Sequence, residues 1–179
     1  MAADTEEMIN LIAPVLRIRL GKDERYPVVR FVETTDRSTV ALSISESMDE
    51  VAVIEAATKA LGSVAGVEAV SVEGVGAFEI DPVDETSPGR VAGRVLIVTG
   101  AAQGFGLGIA QDLAKEGACV VLADINIGEA GKQAEALRKE YGSNRALAVS
   151  MNVTDLTSIQ SAISETVKVF GGFDGFVSN

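Results

Sequence analysis

In the second half of the chain, short unbroken apolar runs alternate with segments whose apolar residues recur every three or four positions. Unbroken runs are typical of strands buried on both faces of a sheet, and the longer period is typical of amphipathic helices. The predicted elements are strand 95–98, helix 104–116, strand 119–123, helix 128–141, strand 146–149, helix 155–170 and strand 176–177. This alternation predicts βαβ units, and therefore a parallel sheet with right-handed crossovers.

The first half has a weaker pattern, which predicts a small α/β module over residues 1–80. A helix is expected at 5–20, although Pro14 favours a kink or a late start. A second helix is expected at 51–61, preceded by a capping box formed by Ser47 and Glu50, with Gly62 as its stop. Strands are expected at 27–32, 67–72 and 77–80.

The two halves are separated by a polar segment with two prolines, residues 81–90, which is typical of a linker or a long loop. The sequence therefore predicts an α/β protein with two domains. Residues 91–179 are expected to form a parallel sheet of four strands with helices between them. The small α/β module precedes it.

The composition of the chain indicates the cellular compartment in which the protein is expected. The 179 residues are 47% hydrophobic, but no apolar run approaches the roughly 18 residues that a membrane span needs. The amino terminus is acidic, unlike an export signal. The single cysteine, Cys119, cannot form an internal disulfide. These features favour a cytoplasmic protein without membrane contact.

Charge and residue types narrow the chemistry. A formal net charge of -11 repels phosphate backbones, so nucleic-acid binding is not expected. The chain has no histidine, which removes histidine-ligated zinc and any Ser-His or Cys-His nucleophile. A metal site made only of carboxylates stays possible, but the acidic residues do not cluster, so no metal is expected. A dinucleotide is compatible with the charge, because it needs only a local nest of N–H groups.

The candidate chemistry lies in a glycine-rich turn between the first strand and helix of the second half. Gly100 permits a sharp turn, Gly104 permits close approach of a pyrophosphate, and Gly106 permits close packing of helix against strand. The amino terminus of the helix would then direct its N–H groups and dipole at the anion. Three glycines alone are equally compatible with an ordinary turn.

Asp124 strengthens the prediction because it closes the second strand, and 124 − 104 gives 20 residues. This is the spacing expected for the acid that accepts hydrogen bonds from the ribose. A carboxylate repels a 2′-phosphate, and no cation stands at Gln103, Ile125 or Asn126 to hold one. NAD is therefore the predicted cofactor, although a strand can also simply end in aspartate.

With these motifs in place, residues 91–179 resemble the short-chain dehydrogenase/reductase family. The resemblance implies a partial doubly wound parallel sheet of the Rossmann type, with its first four strands. The matches are the Thr-Gly-x-x-x-Gly-x-Gly turn, an Asn152-Val153 pair in place of the family's Asp-Val, a Gly-Gly-x-Asp turn at 171–174, and Asn179 for the first residue of Asn-Ala-Gly. In the family the Asp-Val pair borders the adenine, and the amide of Asn152 can still hydrogen-bond an adenine edge. The cofactor-binding residues predicted from the motifs and the resemblance together are Gly100, Gln103, Gly104, Phe105, Gly106, Asp124, Ile125, Asn152, Val153 and Asn179.

The resemblance implies hydride transfer between NAD and an alcohol or ketone in a full-length enzyme. The family's catalytic serine and Tyr-x-x-x-Lys pair lie beyond the matched motifs, so we expect a truncated chain with no catalytic residue and a substrate bound only by a longer chain. Tyr26 and Tyr141 are followed four residues later by Arg30 and Arg145, not by lysine. The alternative is a non-catalytic dinucleotide-binding, regulatory or dimerisation module.

Two further expectations concern association. Residues 6–20 and 66–80 faintly resemble the closing part of a class II aldolase-like domain, whose zinc histidines are absent here; a structural or dimerising module is the alternative. In the family's strand order the fourth strand is internal. Phe176 and Val177 would then form an unpaired apolar edge, which favours self-association.

Overall fold

A computed structural model describes residues 5–22, 25–45, 48–62, 66–82 and 89–179. The chain divides into two compact units, the first comprising Met1–Val83 with Val167–Gly172, and the second Asp84–Thr166 with Phe173–Asn179. Most of the expected linker, residues 83–88, lies outside the described residues. None of the described helices is long and apolar enough to cross a membrane.

The first unit contains two helices and a four-stranded mixed sheet. Its elements are α1 (Thr5–Leu20), β1 (Val28–Val32), β2 (Thr39–Leu42), α2 (Glu50–Leu61), β3 (Ala69–Val72) and β4 (Gly76–Asp81). The strand order is β1-β4-β3-β2, with β4 antiparallel to both of its neighbours and β2 parallel to β3. Both predicted helices and the three predicted strands are present in this part of the chain.

Three details of the first unit differ from the sequence prediction. The strand β2 was not predicted. Helix α1 begins at Thr5 and continues through Pro14, so the expected late start is wrong. The buried face of this helix, which includes Ile12 and Leu16, outweighs the low helix propensity of proline. The cap of α2 is Asp49, whose side chain accepts a hydrogen bond from the N–H of Ala52, while Ser47 lies outside the described residues.

The second unit has the predicted alternation of strands and helices. Its elements are β5 (Val95–Thr99), α3 (Gly104–Lys115), β6 (Cys119–Asp124), α4 (Ile127–Tyr141), β7 (Ala146–Ser150), α5 (Leu156–Phe170) and β8 (Gly175–Val177), although the end of α5 from Val167 onward is assigned to the first unit. All pairs of neighbouring strands are parallel, in the order β7-β6-β5-β8. This order confirms the predicted Rossmann-type sheet, and each predicted boundary lies within one residue of the observed one.

The central strands β5 and β6 explain why the sheet forms here. The first five residues of β6 and four of the five in β5 are buried, as expected for strands covered on both faces. Helices α3 and α4 contribute small buried residues, Ala110, Ala114, Ala130 and Ala134, to the same core. Small side chains allow close packing of helix on sheet. The carboxyl ends of the four strands then share one edge, where the predicted site residues lie.

Candidate functional site

The turn between β5 and α3 has a backbone that requires glycine at two positions. Gly100 has a φ of 62° and Gly104 a φ of 61°, both in the left-handed region. Gly106 is constrained differently, because a Cβ at this position would lie 2.2 Å from the carbonyl oxygen of Gly100. Only glycine therefore lets the first turn of α3 pack against the preceding turn.

The amino terminus of α3 is open to a ligand. Gln103 is its N-cap residue but makes no side-chain capping hydrogen bond, and the first turn contains no acidic residue. The first N–H groups of a helix have no acceptor within the helix. A Cβ on Gly104 would meet nothing within 4 Å, and the side chain of Phe105 is 89% exposed. The backbone here can approach an anion closely.

Asp124 lies at the end of β6, beside this turn. Its Oδ2 atom accepts a hydrogen bond from the N–H of Ala102 at 3.0 Å, and its Oδ1 atom accepts one from the N–H of Asn126 at 2.9 Å. Each carboxylate oxygen has two lone-pair positions, so both can accept a further hydrogen bond. The half-buried carboxylate is therefore held in place by the backbone and remains able to accept from hydroxyl groups.

The loops after β6 and β7 present apolar and polar side chains next to Asp124. Ile125 is 75% exposed and Val153 is 57% exposed. Strand register pairs Asp124 with Ser150, and the N–H of Met151 donates to the carbonyl oxygen of Asp124 at 3.1 Å. Asn152 and Val153 therefore follow directly from a strand end that is hydrogen-bonded to Asp124.

Asn179 lies on the other side of the turn, after β8. Its backbone N–H donates to Oγ1 of Thr99 at 3.1 Å, and its Nδ2 atom donates to the carbonyl oxygen of Thr99 at 3.3 Å. The same Nδ2 atom is close enough that a Cβ on Gly106 would come within 2.9 Å of it. Asn179 thus positions the turn, and direct contact between its side chain and a cofactor stays a prediction.

The structure brings the predicted site residues to one edge of the sheet and adds three that sequence reasoning missed. Ala102 donates to Asp124 through its backbone, which no side-chain pattern reveals. Thr154 donates twice to the side chain of Asn152, and Ser158 accepts from the N–H of Asn152. An Asn-x-Thr sequence at a strand end is compatible with such an Asx turn, and this signal could have identified Thr154.

Charged groups near the site are engaged in local pairs. Glu129, in the first turn of α4, accepts hydrogen bonds from Lys132 and Gln133, and these bonds hold the pKa of its carboxyl below the ordinary value. Lys132 is thereby occupied in an ion pair. Within the described ranges, no group of three or more histidine, cysteine, aspartate or glutamate residues is placed to hold a metal ion.

Comparison with known proteins identifies the family of the second half of the chain. The profile described as short chain dehydrogenase matches residues 94–179. Galactitol 2-dehydrogenase of Agrobacterium fabrum is 42% identical over 90 residues, which are 50% of this chain and 33% of that protein. The oxidoreductase YuxG of Bacillus subtilis, described as uncharacterised, is 40% identical over 86 residues, 48% of this chain and 12% of that protein. Residues 94–179 belong to the short-chain dehydrogenase family.

Solved structures include two proteins that are similar to about half of this chain. L-Sorbose reductase from Gluconobacter frateurii, complexed with NADPH and L-sorbose, matches with a TM-score of 0.48 and 31% identity over 52% of this chain and 35% of that one. A short-chain dehydrogenase from Burkholderia phymatum, in complex with NAD, matches with a TM-score of 0.45 and 27% identity over 48% of this chain and 30% of that one. Those two structures hold different cofactors, NADPH in one and NAD in the other. The predicted preference for NAD stays a prediction. The present chain spans only about a third of the length of the galactitol dehydrogenase relative.

Proposed function

We propose that residues 91–179 form a dinucleotide-binding half-domain that binds NAD through the carboxyl edge of its sheet. The proposal rests on one observation, which is that two features suited to a dinucleotide lie side by side at this edge. One is a turn with left-handed glycines at an uncapped helix terminus, and the other is a carboxylate fixed beside it by a 3.0 Å hydrogen bond from Ala102.

The pyrophosphate would be held by the amino terminus of α3. Gly104 leaves the approach free of a side chain, and the N–H groups of the first helical turn supply donors to an anion. The absence of an acidic residue from this turn of the helix removes one source of repulsion. A local site of this kind is compatible with the overall charge of -11, because the interaction is short-ranged in salt.

The ribose next to the adenine would be held by Asp124, which favours NAD over NADP. Its carboxylate is a good acceptor for the 2′- and 3′-hydroxyl groups and repels a 2′-phosphate. The next two residues, Ile125 and Asn126, offer no positive charge, and Asn126 is already engaged as the N-cap of α4. Phe105, Ile125 and Val153 would supply exposed apolar surface to the cofactor.

In the whole protein we propose the transfer of hydride between NAD and an alcohol or ketone. The bound cofactor supplies the hydride chemistry, and the residues at this edge bind and orient it. The family membership of residues 94–179 and the name of the 42%-identical galactitol 2-dehydrogenase support an oxidoreductase of this class. The small α/β module at residues 1–80 is proposed as a separate domain, with a linker at 81–90.

Calorimetry with ADP-ribose tests the binding proposal, because this ligand carries the adenosine, the pyrophosphate and one further ribose. The wild-type chain should bind it, and Gly104→Asp should abolish binding. Gly131→Asp is the matched control, since it makes the same substitution within α4, at a glycine with open space around it. Failure of ADP-ribose to bind a folded wild-type sample would contradict the proposal.

A further inference from the structure

The side chain of Asn152 is held in one orientation. Its Oδ1 atom accepts a hydrogen bond from the N–H of Thr154 at 3.0 Å and another from Oγ1 of Thr154 at 2.8 Å. The backbone of Asn152 is also engaged, because its N–H donates to Ser158 and its carbonyl oxygen accepts from Asp155. The amide nitrogen Nδ2 makes no hydrogen bond within the described part of the chain, and the residue is exposed.

The partner atoms determine which end of the amide faces outward. A backbone N–H can only donate, so the amide atom facing Thr154 must be the oxygen. Rotating the amide by half a turn would place its NH₂ group against that N–H, so two donors would face each other and the hydrogen bond from the backbone of Thr154 would be lost. Asn152 therefore presents a donor to solvent, and presents no acceptor in its place.

Strand order places this donor beyond the ribose. The turn that faces the phosphates follows β5, Asp124 follows the adjacent strand β6, and Asn152 follows β7, which pairs with β6 on its outer side. If the phosphates of a dinucleotide lie at the end of β5 and its ribose at the end of β6, its base extends toward the end of β7. Val153, which is 57% exposed, gives the base an apolar neighbour there.

We propose that the side chain of Asn152 offers the base of a bound dinucleotide a hydrogen-bond donor and no acceptor. This inference rests on the proposed dinucleotide site. Such a donor can meet a ring nitrogen of adenine or the oxygen of a 6-oxo purine, but it cannot accept from the 6-amino group. The subsite therefore takes hypoxanthine dinucleotides about as well as adenine dinucleotides. The polarity of one side chain, not the shape of the site, sets this tolerance.

The test compares ADP-ribose with its hypoxanthine counterpart by calorimetry. For the wild-type chain the two dissociation constants should agree within about threefold. Asn152→Asp keeps the oxygen that accepts from Thr154 and replaces the outward donor with an acceptor. This variant should shift the ratio at least about tenfold toward adenine, because the new oxygen accepts from the amino group and repels a 6-oxo group.

The matched control is Asn144→Asp, which makes the same change of charge in the loop that precedes β7, at the opposite edge of the sheet. It should leave the ratio unchanged. A wild-type preference for adenine above about tenfold would overturn the inference, and so would an unchanged ratio in Asn152→Asp when both ligands bind. The wild-type ratio is measured independently of that variant, so the inference can still be overturned if the variant fails to fold. Binding of neither ligand to folded wild-type protein would instead contradict the dinucleotide site itself.

Discussion

The carboxylate of Asp124 and the backbone N–H of Ala102 are joined by a hydrogen bond of 3.0 Å between Oδ2 and N. This contact ties the end of β6 to the turn after β5, which lies 22 residues earlier in the chain. Asp124 therefore has two roles in the proposed site. It faces the ribose, and it also holds in place the backbone that leads to the pyrophosphate.

The double variant Asp124→Ala with Ile125→Arg should change cofactor preference. Removing the carboxylate ends the repulsion of a 2′-phosphate, and arginine at the 75% exposed position 125 supplies a charged partner for it. The ratio of affinities for ADP-ribose and its 2′-phosphate should shift at least about tenfold toward the phosphate. Isothermal calorimetry with both ligands measures this ratio.

The matched control for this variant is Glu50→Ala with Val51→Arg. It makes the same change of charge at an acid followed by an exposed apolar residue, at the start of α2. Its affinity ratio should remain that of the wild type. An equal shift in both variants would mean that overall charge, and not the position of Asp124, sets the preference. The Asp124 variant should also lose about 1–3 kcal/mol of stability, because the N–H groups of Ala102 and Asn126 lose their acceptor.

The sheet of the second unit could be predicted from sequence because its signals are strong and local. Four unbroken apolar strands and three periodic helices leave few arrangements for residues 94–179. The missed strand β2 shows the opposite case. Only Leu42 of its four residues is buried, and the strand lies at one edge of its sheet. The sequence of β2 therefore shows little of the apolar pattern by which strands are recognised.

The candidate site was predictable in its side chains and not in its backbone contacts. Glycine and aspartate at fixed spacing identify Gly100, Gly104 and Asp124 because the chemistry needs those residue types. The N–H of Ala102 is a donor that every residue except proline carries, so its role depends on the folded path of the turn. The orientation of Asn152 likewise depends on the position of the backbone of Thr154, which sequence spacing does not fix.

Thr99 should stabilise the sheet through its hydroxyl group. This buried side chain accepts from the N–H of Asn179 at 3.1 Å and donates to the carbonyl oxygen of Val177 at 3.3 Å. Thr99→Val keeps the shape and removes both hydrogen bonds, so it should lower the free energy of unfolding by about 1–2 kcal/mol. Urea denaturation measures the loss. The exposed Thr157 provides the control, since Thr157→Val should change stability by less than about 0.5 kcal/mol. Equal effects would contradict the role of the hydroxyl.

Self-association is expected through the edge of the second sheet. Strand β8 pairs with β5 on one side and lies at the end of the strand order, and Phe176 on it is 46% exposed. An exposed apolar edge strand is a template for pairing with another chain. Sedimentation should show dimers or larger species, and Phe176→Lys should increase the monomer fraction. Leu156→Lys removes another large exposed apolar side chain, outside the edge strand, and should not increase the monomer fraction. A wild-type monomer at high concentration would count against this prediction.

The 179-residue polypeptide should bind the cofactor without oxidising alcohols, because arginines, and not lysines, stand four residues after its two tyrosines, Tyr26 and Tyr141. Tyr141 ends α4, beside the start of β7 and thus at the opposite edge of the sheet from Asp124. A hydrogen bond with Glu140, with burial contributing, raises the pKa of Tyr141 above its ordinary value, whereas general acid–base catalysis needs a pKa near the working pH. Tyr26 lies in the first unit, where its ring is 5.1 Å from the guanidinium of Arg17.

The expected result is no detectable formation of NADH by the purified polypeptide with a broad panel of alcohols. General acid–base catalysis contributes about 10²–10⁴-fold, and positioning of the reactants can contribute more. Tight binding of the adenosine end of the cofactor cannot replace acid–base catalysis or positioning of the reactants, because only interactions that strengthen in the transition state accelerate the reaction. Absorbance of NADH measures the rate, and calorimetry with ADP-ribose on the same sample shows that the site is intact. Turnover that disappears in Gly104→Asp and persists in Gly131→Asp would mean that these residues contain a proton-transfer group other than the two tyrosines.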